Sequence, residues 1–356
     1  MTARQVLAKI GARGVRLLPP EEAHVATIRS LKTPFAPRYR VPRHKSLAID
    51  VAGISFPNPI GLAAGFDKNA EVPGPCLKLG FGFVEVGAVT PRAQPGNPSP
   101  RVFRLTDDKA VINRYGFNND GLEVIAGRLK RHRKSSRAGI VGINLGANKD
   151  SEDRTEDYVI GIKGLEGLVD FYTVNISSPN TPGLRALHDR ASLDDLLARV
   201  MLARDDLIQK VPVFLKVAPD LVDRDKEEIA AAVLAAGIDG LIVSNTTIER
   251  PETLRGPHTG EKGGLSGAPL FEMSTRVLAE FHQRLGQDMP LIGVGGVGSP
   301  RQAYEKILAG ASLVQLYTAM IYEGPSLPAR IVRALPSFLR TDGFANVADA
   351  VGAKAA

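Results

Sequence analysis

Eight short apolar runs recur along the chain, each followed by a stretch of helical periodicity, and this alternation limits the possible folds more than any other feature. The runs fall at 59–63, 83–86, 139–145, 171–176, 213–217, 240–243, 291–294 and 313–316. Apolar spacing predicts helices near 69–80, 119–134, 153–167, 192–209, 224–236, 269–285, 299–310 and 326–339. Ser299 followed by Pro300 has the form of an N-cap with proline at the first helical position. A hairpin, 47–51 with 53–56, precedes the first unit. Eight strand–helix units over roughly 290 residues match an α/β architecture of the (β/α)8 barrel type. A doubly wound open sheet competes, because Gly293 to Gly298 reads G-x-G-x-x-G between a strand and a helix. That motif normally opens its domain, and here it follows the seventh run. After strand seven of a barrel, the same glycines would offer backbone N–H groups to a phosphate.

Charge divides the chain. Residues 1–45 carry ten Lys/Arg and two acids, a balance of +8, which leaves −1 for the other 311 residues of a chain with net charge +7. A nearly neutral body argues against a general nucleic-acid binder. The arm also holds Val6, Leu7, Ile10, Val15, Leu17, Leu18, Val25, Ile28, Leu31 and Phe35. Basic and apolar residues interleaved in this way suit a helix lying on an anionic membrane surface. A solvated helical arm packed on the main domain, or an Arg-rich transit segment, are the other readings. At 356 residues and 44% hydrophobic the chain can bury a large core. Cys76 is its one cysteine, which excludes a disulfide framework and fits a reducing compartment. The six histidines form no His-x-x-x-His or His-x-His pair, so no metal site is expected. No apolar run is long enough to span a bilayer. The expected division is 1–45 helical extension, 46–341 barrel and 342–356 C-terminal tail.

Catalytic groups of a barrel sit at the C-terminal ends of its strands. Those ends are rich in Asn, Ser, Thr and Lys: Ala63 to Asn69, Asn144, Asn175 to Gly183, Lys216, Ser244 to Thr247, and Tyr317-Thr318. The loop Asn113 to Asn119 adds more. So many donors with few carboxylates suit a planar, polar, anionic ligand. Lys216 stands inside the apolar run Val213-Phe-Leu-Lys-Val217, where a charge is unfavourable unless an anion meets it. A surface charge is the minority reading of Lys68, and Asn-Thr-Pro-Gly taken alone is turn chemistry.

The ordered motifs resemble the class 2, quinone-dependent dihydroorotate dehydrogenases over essentially the whole chain. They are Gly61 to Asn69, Thr90 to Asn97, Asn113 to Asn119, Val174 to Arg185, Leu215 to Asp220, Ser244 to Thr247, Gly263 to Gly267 and Gly293 to Gly296. Class 1 relatives use a cysteine base where this chain has Ser178. The resemblance implies bound FMN, oxidation of dihydroorotate to orotate in pyrimidine (UMP) synthesis, and a quinone acceptor. It makes Ser178 the base at C5, with Thr181 and Phe117 framing a water relay. Lys68, Asn113, Arg114, Tyr115, Gly116, Phe117, Asn175, Asn180, Asn245 and Thr246 would bind substrate. Ala64, Gly65, Phe66, Asp67, Lys68, Ala88, Asn144, Asn175, Lys216, Ser244, Gly267, Gly296, Tyr317 and Thr318 would bind the flavin, Lys216 near N1/O2 and the last four at its phosphate. Ala88 replaces a commoner hydroxyl residue, so only backbone contact is expected there. His24, Arg104 and Tyr317 would face the quinone in a tunnel under the arm, although His24 and Arg104 alone read as surface residues. The resemblance further implies peripheral attachment to a membrane, expected to be the cytoplasmic side of a bacterial inner membrane, and a monomer is expected. A related flavin barrel reducing dihydropyrimidine or dihydrouridine, or a non-catalytic membrane-docked binding protein, are the alternatives.

Overall fold

The computed structural model describes residue 11 and residues 14–135, 139–177, 180 and 190–355. In chain order the strands are β1 (Ile49–Val51), β2 (Ile54–Phe56), β3 (Ile60–Leu62), β4 (Phe83–Val89), β5 (Val102–Leu105), β6 (Ala110–Asn113) and β7 (Ile140–Leu145). They continue with β8 (Phe171–Asn175), β9 (Val213–Val217), β10 (Gly240–Val243), β11 (Gly264–Gly267), β12 (Leu291–Val294) and β13 (Ala311–Leu316). The helices are α1 (Pro20–Leu31), α2 (Pro73–Leu77), α3 (Leu122–Arg133), α4 (Arg154–Gly164), α5 (Arg190–Asp205) and α6 (Asp223–Ala236). Then come α7 (Phe271–Leu285), α8 (Pro300–Leu308), α9 (Ala319–Glu323), α10 (Leu327–Thr341) and α11 (Val347–Ala350).

Eight parallel strands close into a barrel in the order β3, β4, β7, β8, β9, β10, β12, β13, with β13 returning to pair with β3. Every barrel strand coincides with one of the eight apolar runs, and the doubly wound alternative is excluded by closure. Both faces of such strands are covered, so β8 and β9 are buried along their whole length. The bottom of the barrel is an aromatic plug. Phe83, Phe171 and Phe214 meet edge to face at 6.1 and 5.5 Å, and Phe56 from the β1–β2 hairpin closes on Phe83 at 5.1 Å. Glycines on neighbouring strands make room for these rings. A Cβ at Gly61 would lie 2.2 Å from the Phe83 ring, and one at Gly142 2.0 Å from Phe171. Each buried ring contributes about 1.5–3 kcal/mol, and Gly61→Ala would force one of them out.

Several elements differ from the sequence reading. The helix expected at 69–80 shrinks to α2, because Pro73 and Pro75 start it late and Asp67 takes up the N–H groups of Glu71 and Val72 at 2.7 and 2.8 Å. Ser299 does cap α8, accepting from Gln302 N at 3.2 Å. A three-stranded antiparallel sheet, β5–β6–β11, had no counterpart in the periodic pattern. The C-terminal segment is no loose tail. Val347 and Ala350 are buried, and the N–H groups of Gly352 and Lys354 donate to Ile307 and Leu308 at the end of α8.

Candidate functional site

Side chains on a barrel strand alternate in and out, so inward layers stack two residues apart. Two residues beyond Phe83, Phe171 and Phe214 come Glu85, Thr173 and Lys216, which replace the aromatic plug by a polar layer. Glu85 is fully buried, and both its oxygens accept: Asn144 Nδ2 donates at 2.7 Å and Gln315 Nε2 takes the other. Asn175 Nδ2 donates to Asn144 Oδ1 at 2.9 Å. Asn175 Oδ1 in turn accepts from Ser177 Oγ at 3.0 Å, and Asn245 Nδ2 donates to Ser177 Oγ at 3.1 Å. The chain of bonds runs from β13 across β4, β7 and β8 to the end of β10. It fixes amide orientations that a lone asparagine would leave free.

Above this network lies a cavity of about 560 Å³ at the C-terminal ends of the strands. Lys216 opens into it, is 5% exposed, and makes no ion pair among the described residues. Burial lowers its pKa, and only the field of Glu85 opposes that. Lys68 reaches the same cavity, its Nζ 4.0 Å from the centre of the Tyr115 ring. Burial pulls its pKa down to about 8, with Glu21 resisting the shift. On the opposite wall, β12 runs into Gly295 and Gly296. The backbone N–H groups of Gly296 and Thr318 find no acceptor among the described residues, and both residues line the cavity.

The roof is α1. Its cap is proline, and acids in its first turn with Arg29 in its last suit the helix dipole. Glu21 on α1 pairs with Arg101, whose Nη2 lies 2.6 Å from Oε1 and whose Nη1 donates to the Asn97 carbonyl at 2.8 Å. Asn97 Nδ2 donates to the Asn180 carbonyl at 3.2 Å. Arg104 on β5 holds the arm by donating to the carbonyls of Arg16 and Leu18. His24 Nδ1 lies 3.3 Å from the Tyr317 hydroxyl, and Phe66 packs edge-on against both rings. Burial, assisted by Lys68, drives the His24 pKa down to about 3, so the imidazole is neutral.

Most sequence-predicted residues share this one cavity: Ala64, Gly65, Phe66, Lys68, Ala88, Asn113, Tyr115, Gly116, Phe117, Asn144, Asn175, Asn180, Lys216, Ser244, Asn245, Thr246, Gly267, Gly296, Tyr317 and Thr318, with His24 and Arg104 under the arm. Two do not line it. Asp67 is turned into the protein as the cap of the segment before α2, and burial raises its pKa to about 6. Arg114 points away to Glu261 at 2.7 Å and stacks 4.6 Å over Phe103. Ser178 and Thr181 lie outside the described residues. Glu85 and Gln315 escaped the sequence reading, and Ser177, within the polar end of the fourth run, was given no role there. Glu85 carried the same signal as Lys216, an ionisable residue inside an apolar strand. Among the described residues, no group of three His, Cys, Asp or Glu is placed to hold a metal ion.

Residues 46–339 match the family model described as dihydroorotate dehydrogenase. A protein of Agrobacterium fabrum named dihydroorotate dehydrogenase (quinone) is 52% identical over 97% of this chain and 95% of its own. One of the same name from Brucella ovis is 54% identical over 96% of this chain and 94% of its own. The solved DHODH of Eimeria tenella in complex with ferulenol superposes with TM-score 0.90 at 40% identity, covering 94% of this chain and 95% of that one. Its ligand-free form gives TM-score 0.91 at the same identity, over 94% of this chain and 99% of that one. Sequence, fold and site agree, and the chain belongs to the dihydroorotate dehydrogenase family.

Proposed function

We propose that this chain oxidises dihydroorotate to orotate with bound FMN and passes the electrons to a membrane quinone, the redox step of pyrimidine (UMP) synthesis. The observation that carries the reading is the meeting of two lysines, buried Lys216 and half-buried Lys68, with a layer of oriented amides inside one cavity, beneath an amphipathic roof. The cavity suits FMN on three counts. It has the room, Lys216 makes no ion pair among the described residues, and the N–H groups of Gly296 and Thr318 have no acceptor among them. When bound in this cavity, FMN would supply the redox chemistry that links hydride removal at C6 of the substrate to the acceptor.

The chain's own residues do the rest. Ser178 removes the C5 proton, and because a free serine is a poor base it needs help from its surroundings, to which Thr181 and Phe117 contribute a water path. Lys68 meets the substrate carboxylate in its charged form. Asn113, Asn175, Asn180 and Asn245, with Thr246, bind the ring amides. The bonds through Asn144, Asn175 and Ser177 hold two of these in register with the strand end that leads to Ser178. Lys216 stabilises negative charge arising on the flavin. Gly267, Gly296, Tyr317 and Thr318 hold the phosphate by backbone donors.

The quinone enters between α1 and the barrel, where neutral His24 and Tyr317 stand beside Arg104. The arm docks on the membrane surface from the cytoplasmic side of a bacterial inner membrane. Leu17, Phe35 and Val25 support that reading, being 89%, 76% and 42% exposed close in sequence to Arg16, Arg29 and Lys32. No helix among the described residues is long and apolar enough to cross a membrane.

The test is an anaerobic titration with dihydroorotate, followed by addition of a quinone or of NAD. Bleaching of the flavin by dihydroorotate and its recovery with quinone alone is the expected result. No bleaching rejects the substrate, and recovery with NAD rejects the acceptor.

A further inference from the structure

Behind the cavity wall lies a further buried lysine that the chemistry above does not use. Lys306 projects from α8 and is wholly buried. Its Nζ donates to Ser274 Oγ, in the first turn of α7, at 2.7 Å and to the Val294 carbonyl at 3.4 Å. No carboxylate pairs with it among the described residues, and burial pushes its pKa well below the ordinary lysine value. A cation here is unfavourable on two grounds, since it is desolvated and it stands at the positive end of a helix. The Phe271 ring, 5.5 Å from Nζ, offers only cation–π attraction.

The geometry points to the anion that would complete the site. Ser274 Oγ also lies 3.2 Å from the Gly295 carbonyl oxygen and 3.1 Å from that of Phe271, so its one hydrogen serves either acceptor. In a trans peptide the carbonyl and the following N–H point in opposite directions. A Gly295 carbonyl held toward Ser274 therefore aims the Gly296 N–H the other way, where Gly296 lines the cavity and its N–H has no acceptor among the described residues. With the hydroxyl hydrogen directed to Gly295 rather than to Phe271, lysine, hydroxyl, carbonyl and N–H form one polarised line that ends at a donor with no acceptor among the described residues. Gly296 itself is pinned, because a Cβ there would lie 2.5 Å from Phe271.

We propose that Lys306 is a positioning residue for the flavin phosphate, acting from behind through Ser274 and the Gly295–Gly296 peptide, and that it makes the protein select FMN over the phosphate-free flavin. This rests on the placement of the phosphate at Gly296 proposed above.

The test uses the full-length, FMN-loaded protein, equilibrated against mixtures of FMN and riboflavin, with the bound flavins released and quantified. Wild type should hold FMN in clear preference. Lys306→Met should lower the bound FMN-to-riboflavin ratio by about tenfold or more, while total flavin occupancy at saturation stays at the wild-type level. Lys306→Gln, which keeps a donor but loses the charge, should behave like Lys306→Met. Ser274→Ala, which cuts the line but keeps the lysine, should show a smaller fall in the same direction. An unchanged ratio in Lys306→Met overturns the proposal, and so does loss of both flavins, which would make the lysine a structural tie. A wild type that fails to prefer FMN over riboflavin instead rejects the phosphate placement itself.

Discussion

The floor and the roof of the cavity are built on opposite terms. The floor is polar, rises from barrel strands, and orients its amides through a shared network: Glu85 holds Asn144 and Gln315, and Asn175 holds Ser177. The roof is one amphipathic helix, tied by Glu21 to Arg101, by Arg104 to the arm's backbone, and by His24 to Tyr317. Strand-borne groups in close-packed surroundings cannot drift, and catalysis on a small ring needs that rigidity. A long apolar acceptor entering from a membrane needs only an apolar slot with few polar contacts. The two half-reactions should therefore respond to different mutations.

The largest effect that would break this division lies on the floor side. Ser178→Ala should slow reduction of the bound flavin by dihydroorotate by about 10²–10⁴-fold while the protein stays yellow. Rapid-mixing absorbance measures it, and an undiminished rate removes Ser178 as the base. Lys216→Ala should slow the same step or weaken FMN retention by about 10²-fold. A variant equal to wild type in both would make that lysine structural. On the roof side, removal of residues 1–45 should abolish quinone reduction and binding to vesicles, yet leave flavin reduction by dihydroorotate in place. Normal quinone turnover in the truncated protein would reject the tunnel.

Two smaller effects sharpen the boundary. The Lys68 pKa stands near 8, and the form that binds a carboxylate is the protonated one. KM for dihydroorotate should therefore rise as pH climbs through that value, by about tenfold per unit at the limit, and Lys68→Met should lose this dependence. A pH-independent KM in wild type would take Lys68 off the carboxylate. Glu21→Gln cuts the clamp between roof and loop, a partly exposed pair whose loss should change either half-reaction by only a few-fold. A much larger loss of flavin reduction would mean that the arm organises the loop at Asn180, through Arg101 and Asn97, and the division would be less clean than drawn.

Lys216 and Lys306 show where sequence reasoning stops. Lys216 stands out because its neighbours Leu215 and Val217 are apolar on a strand with both faces covered. Lys306 sits in an amphipathic helix, where a lysine ordinarily faces water, and nothing local marks it as buried. Glu85 carried a signal as clear as that of Lys216 but no motif drew attention to it. Arg114 and Asp67 lie within motifs that reach the cavity, yet their side chains turn to Glu261 and to the start of α2.

Strand and helix alternation, the eight-fold repeat, the charged arm and the polar strand ends were all present in the linear order of residues, because periodicity and turn chemistry act over a few positions at a time. Closure of β13 on β3, the β5–β6–β11 sheet, the amide relay from Gln315 to Asn245 and the line from Lys306 to Gly296 came only with the packed chain. Each joins groups far apart in sequence, and whether a buried polar atom finds a partner depends on which distant segment the barrel brings to it.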